Sequence, residues 1–173
     1  MEKFVPDIYQ KSIYTINYDQ LASRGIKCLL FDLDNTLVPI KVKTPPNEVK
    51  ELFDKLKQKG FKIILFSNSR SKRLKPFKNI LEVDCCPFAC KPFKRKFLSI
   101  IKIYNFKFSE VAIIGDSMMD DIRGGNKVGI TTILIEQLTT KEFPIATIKR
   151  KFEKKILKKL RDKNLFTKGS YYE

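Results

Sequence analysis

Four short apolar stretches, IKCLLF (residues 26–31), FKIILFS (61–67), VAIIGD (111–116) and TTILIE (131–136), constrain this chain more than anything else in it. Each is too short for a buried helix, and its apolar residues run nearly unbroken instead of alternating, as in strands covered on both faces. The segments between them have the other period. PPNEVKELFDKLKQKG places Val49, Leu52, Phe53 and Leu56 at helical spacing, with prolines at its start and Gly60 where a helix would stop. PFKRKFLSIIKIYN repeats the arrangement with Phe97, Leu98, Ile101 and Tyr104, and a shorter helix is expected from near Met119 towards Gly124 and Gly125. Strand and helix in alternation predict an α/β fold: a doubly wound, Rossmann-like, mostly parallel sheet. With 173 residues, 43% of them hydrophobic, the chain can bury one sizeable core and is short for two.

Residues 1–25 are expected to pack on that core as an N-terminal extension with a short helix around Tyr18–Arg24. The domain is read as 1–148, and the basic remainder, 149–173, as a C-terminal helix or tail. Charge concentrates there. Of 35 Lys and Arg against 19 Asp and Glu, net +16, ten basic and two acidic residues lie between Lys149 and Lys168. Ile148, Phe152, Ile156 and Leu160 recur every four residues, so a narrow apolar stripe would run along a cationic helix. Such a helix is often just a solvated face. Here it suits an anionic phospholipid or membrane surface, where each Lys or Arg contributes about 1 kcal/mol. Nucleic acid is the alternative partner, although no aromatic stacking motif accompanies the charge. The oligomeric state is left open.

No apolar run of about 18 residues exists, and the N-terminus lacks the zones of a secretory signal, so the expected location is the cytoplasm, peripheral at the inner face of the membrane. Four cysteines, Cys28, Cys85, Cys86 and Cys90, lie in or beside apolar stretches and are expected to be reduced. Without histidine or paired spacing, CCPFAC reads as packing or a loop thiol rather than a zinc site.

In doubly wound sheets ligands bind beyond the carboxyl ends of the strands. Those ends carry Asp32 and Asp34, then Ser67 and Asn68, then Asp116 with Asp120 and Asp121; Lys91 lies in the loop before the second long helix. Any one of these could be an ordinary turn or cap residue. Gathered at one edge, several carboxylates without histidine favour a hard, oxygen-preferring cation, above all Mg²⁺, which commonly works with phosphate. A hydroxyl, an amide and a lysine can hold phosphoryl oxygens. One carboxylate could attack phosphorus while the other moves the proton.

DLDNTL (32–37), FSNS (66–69), KP (91–92) and GDSMMDD (115–121) resemble, in order and at compatible spacing, the four motifs of the haloacid dehalogenase superfamily. The resemblance implies a phosphatase with Asp32 as nucleophile and metal ligand. Asp34 would be the general acid/base and lend its main-chain carbonyl to the metal. Ser67 and Lys91 would bind phosphate, beside the Asn68 amide read above as a further phosphate ligand, with Asp116 and Asp121 completing the metal site. Asp120 adds an acid that the family pattern lacks. Residues 5 to 160 further resemble bacterial YqeG-type proteins, related to mitochondrial phosphatidylglycerophosphate phosphatases.

About 29 residues separate Asp34 from the second strand end and about 23 separate Ser67 from Lys91, which leaves no room for a cap domain. An open site suits a phosphate presented on something large. The substrate implied by the resemblance is phosphatidylglycerophosphate. A soluble nucleotide, a sugar phosphate or a nucleic-acid end is the enzymatic alternative, and a non-catalytic module that binds RNA or a GTPase is the alternative of another class.

Overall fold

The computed structural model describes residues 1–139 and 144–173, the side chains of 144–150 excepted. Six strands, β1 (Ile8–Gln10), β2 (Cys28–Phe31), β3 (Lys62–Phe66), β4 (Asp84–Cys86), β5 (Val111–Gly115) and β6 (Thr131–Ile135), form one sheet in the order β1-β6-β5-β2-β3-β4. Every pairing is parallel. Among the described residues six α-helices accompany them: α1 (Tyr18–Ser23), α2 (Asn47–Gln58), α3 (Ser71–Leu81), α4 (Lys94–Ile103), α5 (Arg123–Val128) and α6 (Pro144–Asp162).

Side chains alternate across a strand, so each apolar run feeds two cores. Leu29 and Phe31 of β2 point to one face, where Val49, Phe53 and Leu56 of α2 and Leu74, Phe77 and Leu81 of α3 cover them. Cys28 and Leu30 point to the other, against Phe97, Ile100 and Ile101 of α4. That double covering explains why the strands read as unbroken apolar runs. All four cysteines are free thiols, and burial pushes that of Cys28 up to about 12.

The structure adds three elements that the sequence reading did not identify and corrects one helix face. β1 and β4 have three residues each, too few for a period to show. Pro76 lies inside α3, where a proline ordinarily argues against helix. In α4 the buried face is Phe97, Ile100 and Ile101, while Leu98 is exposed because the helix is turned away from it.

The basic C-terminus differs most from its reading. The boundary expected at 148/149 falls inside α6, and the side chains of Ile148, Lys149 and Arg150 lie outside the described residues. Phe152 is 57% exposed, so the inward face of α6 is Ile156, Leu157 and Leu160. These join Phe4, Tyr9, Met118, Ile122, Leu134 and Phe166 in a third apolar cluster that brings both chain ends together. Tyr172 and Tyr9 exchange two main-chain hydrogen bonds of 2.9 Å, which closes the β1 edge of the sheet. Residues 149–173 are thus tied into the fold. Among the described residues there is no cap domain between β2 and α4, and no helix long and apolar enough to cross a membrane.

Candidate active site

β2 is central in the sheet, and its carboxyl end delivers Asp32, whose N–H donates to the Ile114 carbonyl at 2.9 Å. The chain then folds back on itself. Leu37 and Val38 donate to the Leu33 carbonyl, and Asn35 donates to Val38 from the left-handed region (φ 64°), which asparagine tolerates. This turn returns Thr36 to the strand end. Its hydroxyl lies 3.3 Å from Asp32 Oδ2 and 3.0 Å from Asp116 Oδ1, bridging β2 to the loop after β5.

Asp34 follows a different path. Its Oδ2 accepts from Ser69 Oγ at 2.6 Å, and its Oδ1 accepts from Arg73 Nε and Nη2 at 3.0 and 2.8 Å. Its carboxylate is thus held by Ser69 and Arg73 and stands outside the group formed by Asp32, Asp116 and Asp121.

Ser67 directly follows β3, buried, and its Oγ accepts from the N–H of Ser69 at 3.2 Å. Asn68 has a role other than the direct phosphate contact expected of it. Its Oδ1 accepts from the Lys91 N–H at 2.7 Å and its Nδ2 donates to the Lys91 carbonyl at 3.2 Å, so the amide clamps the lysine's backbone. Lys91 is thereby aimed inward. Its Nζ, buried, stands 2.7 Å from Asp32 Oδ1 and 2.6 Å from Asp121 Oδ1.

Asp121 comes from a π-turn (Met118–Ile122) whose start is capped by Ser117: Ser117 Oγ accepts from the N–H of Asp120, and Ser117 N–H donates to Asp121 Oδ2. Asp32, Asp116 and Asp121 bring ligand oxygens within 4.8 Å of one another, and Asp121, rather than Asp120, belongs to this group.

Three carboxylates around one ammonium would, if all were ionised, carry an excess of two negative charges, and the titration of the group reflects it. Burial, then Asp32 and Asp121, pushes the Asp116 carboxyl well above its ordinary range. Burial raises Asp121 as well, only partly offset by Lys91. For Lys91 burial opposes the charge, but Asp121 and Asp32 outweigh it and hold the ammonium above the usual lysine range. The donor set and charge fit a divalent, oxygen-preferring cation, which would neutralise that excess.

Thr36, Ser69 and Arg73 were missed in the sequence as site residues, and so was Gly115. Thr36 lies inside the DLDNTL motif and Gly115 inside GDSMMDD, so both were within reach. Arg73 sits in a run of basic residues with nothing to mark it out.

A family model described as haloacid dehalogenase-like hydrolase matches residues 41–129, and one described as mitochondrial PGP phosphatase matches residues 1–79. The chain is 31% identical over 160 residues to "Probable phosphatase YqeG" of Bacillus subtilis, covering 92% of this chain and 93% of that protein. It is 24% identical over 153 residues to the chloroplastic "Phosphatidylglycerophosphate phosphatase 1" of Chlamydomonas reinhardtii, covering 83% of this chain and 57% of that protein. Among solved structures, the cobalt-bound deoxy-D-mannose-octulosonate 8-phosphate phosphatase of Haemophilus influenzae shares the fold with a TM-score of 0.54 at 15% identity, covering 78% and 89% of the two chains. A protein from Listeria monocytogenes does so with a TM-score of 0.55 at 20% identity, covering 69% and 85%.

Proposed function

Because this chain belongs to the haloacid dehalogenase-like hydrolases and is a phosphatase, we propose that it hydrolyses phosphatidylglycerophosphate to phosphatidylglycerol and phosphate, with Mg²⁺ as its metal. The observation that carries the reading is an uncapped site whose π-turn packs against α6, a helix with a cationic outer face. On that face Phe152 stands exposed at helical spacing from Lys155 and Lys159, an apolar wedge among cations suited to an anionic lipid surface. The curated Chlamydomonas relative and the family model over residues 1–79 carry the same substrate in their descriptions.

The chemistry follows from the side chains. A carboxylate oxygen of Asp32 attacks phosphorus, the ester P–O bond breaks, and the leaving oxygen takes a proton from Asp34. Water then attacks the aspartyl phosphate, Asp34 accepts its proton, and Asp32 and phosphate are released. Lys91 and Ser67 hold the non-bridging oxygens through both steps. Mg²⁺ bound by Asp32, Asp116 and Asp121 would supply Lewis-acid stabilisation of the phosphoryl charge.

Phosphate release from phosphatidylglycerophosphate in mixed micelles with Mg²⁺ tests this, with Asp32→Asn and an aryl phosphate as controls. Rapid lipid hydrolysis by the wild type alone, far above the aryl rate, is expected. Hydrolysis of the aryl phosphate only would retain the chemistry and overturn the lipid.

A further inference from the structure

Arg73 has two attachments near the mouth of the site. Its Nε and Nη2 hold Asp34, and its Nη1 donates to the Val42 carbonyl in the loop that follows the DLDNTL turn. The guanidinium also lies 4.9 Å from the Phe77 ring, which fixes its plane. A guanidinium offers five N–H groups, so two remain beyond these bonds among the described residues. The side chain is 19% exposed, so those groups are within reach of a ligand entering beside Asp34.

The surroundings share one sign of charge. Lys41 and Lys43 flank Val42, Arg70 and Lys72 precede Arg73, and all four are exposed. From Pro39 to Pro46 and from Ser69 to Lys75 there is no acidic residue. α3 opens within this stretch, with no acid in its first turn and no side-chain cap on its N–H groups. Asp32, Lys91 and Ser67 suffice for a single phosphoryl group. A cationic rim on the Asp34 side is therefore surplus to a substrate with one phosphate.

We propose that Arg73 is the centre of a second-anion subsite, flanked by Lys41, Lys43, Arg70 and Lys72, which takes a second phosphate a few bonds from the scissile ester. The subsite rests on the phosphatase reading above and narrows it to phosphomonoesters whose leaving group carries a phosphodiester or another phosphate. A planar fork suits a phosphodiester's two free oxygens better than a lysine does. Arg73 both orients Asp34 and selects what leaves.

The test is a ratio of kcat/KM values for the full-length wild type, Arg73→Ala and Arg73→Lys. One substrate is the water-soluble headgroup glycerophosphoglycerol phosphate and the other glycerol 3-phosphate, an alkyl phosphomonoester without a second phosphate. Both leave as alkoxides that need the proton of Asp34, so loss of the Asp34 contact affects both alike and cancels in the ratio; loss of the subsite does not. The ratio is expected to fall about 10-fold or more in Arg73→Ala, chiefly through KM of the headgroup, and by less in Arg73→Lys. A ratio unmoved in both variants overturns the subsite, whatever happens to the absolute rates. If Arg73→Ala does not fold, Arg73→Lys decides by the same criterion. A nucleoside bisphosphate, run in parallel, separates the sources. If the wild type ignores the headgroup, the lipid reading falls, and the bisphosphate ratio decides Arg73 independently.

Discussion

Gly115 and Asp121 are packed so closely that a Cβ on Gly115 would lie 2.2 Å from Asp121 Cγ and Oδ2 and 2.8 Å from its Cβ. The missing side chain is what lets the carboxylate lie across the end of β5 and reach Lys91 Nζ. Gly115→Ala must swing Asp121 out of the group it shares with Asp32 and Asp116. Activity is expected to fall by about 100-fold or more, with a stability cost of only about 1–3 kcal/mol. Phosphate release compared with thermal unfolding separates the two; equal activity would mean that Asp121 is dispensable.

Lys91 is the cation that keeps Asp32 and Asp121 together without metal. Lys91→Met leaves both carboxylates buried and uncompensated, which costs about 3–5 kcal/mol of stability in chelator and nearly all activity. A divalent cation binding the folded state offsets part of that cost. Adding Mg²⁺ should therefore raise the melting temperature of Lys91→Met by more than that of the wild type. Equal shifts in the two proteins would show that lysine and metal do not share these carboxylates.

The core strands were legible because β2, β3, β5 and β6 are buried on both faces and so carry a dense apolar signal. Asp32, Asp116, Asp121 and Lys91 were legible only together, because four motifs follow one another in family order at compatible spacing; singly, each could have been a turn, cap or surface residue. The supporting residues were not, since their partners are distant in the chain: Arg73 meets Asp34 across 39 residues, and Thr36 meets Asp116 across 80. Only the folded sheet makes them neighbours. In α6 the period misled because the inward face includes a carboxylate, Glu153, which broke the apolar spacing and shifted the apparent stripe onto the exposed Phe152.

That shift separates two apolar residues of one helix. Leu160 is fully buried in the third cluster, and Leu160→Ala should cost about 2–5 kcal/mol. Phe152→Ala should change stability by no more than about 0.5 kcal/mol. Chemical denaturation measures both. In a vesicle-flotation assay with anionic lipid the order reverses: Phe152→Ala weakens binding, while Leu160→Ala at a temperature where it stays folded does not. Equal binding by Phe152→Ala and the wild type would remove the helix face as a docking element.

Glu153 reaches from α6 to the π-turn, where Ser117 Oγ stands 3.4 Å from its Oε1 and the N–H groups of Met119 and Met118 bond its carboxylate. Burial raises its pKa despite those bonds. A raised folded-state pKa means that the folded protein holds the proton longer than the unfolded chain does. Its contribution to stability is thus complete below the ordinary glutamate pKa and is lost as pH rises through the folded value. Glu153→Gln removes this titration and leaves those of Asp116 and Asp121 in place, so the difference between the two proteins isolates it. Denaturant unfolding of both from about pH 4 upward should show the wild type losing stability relative to Glu153→Gln as pH increases. A difference that stays flat, or slopes the other way, would mean that the contacts to Ser117, Met118 and Met119 stabilise the ionised carboxylate enough to outweigh its burial.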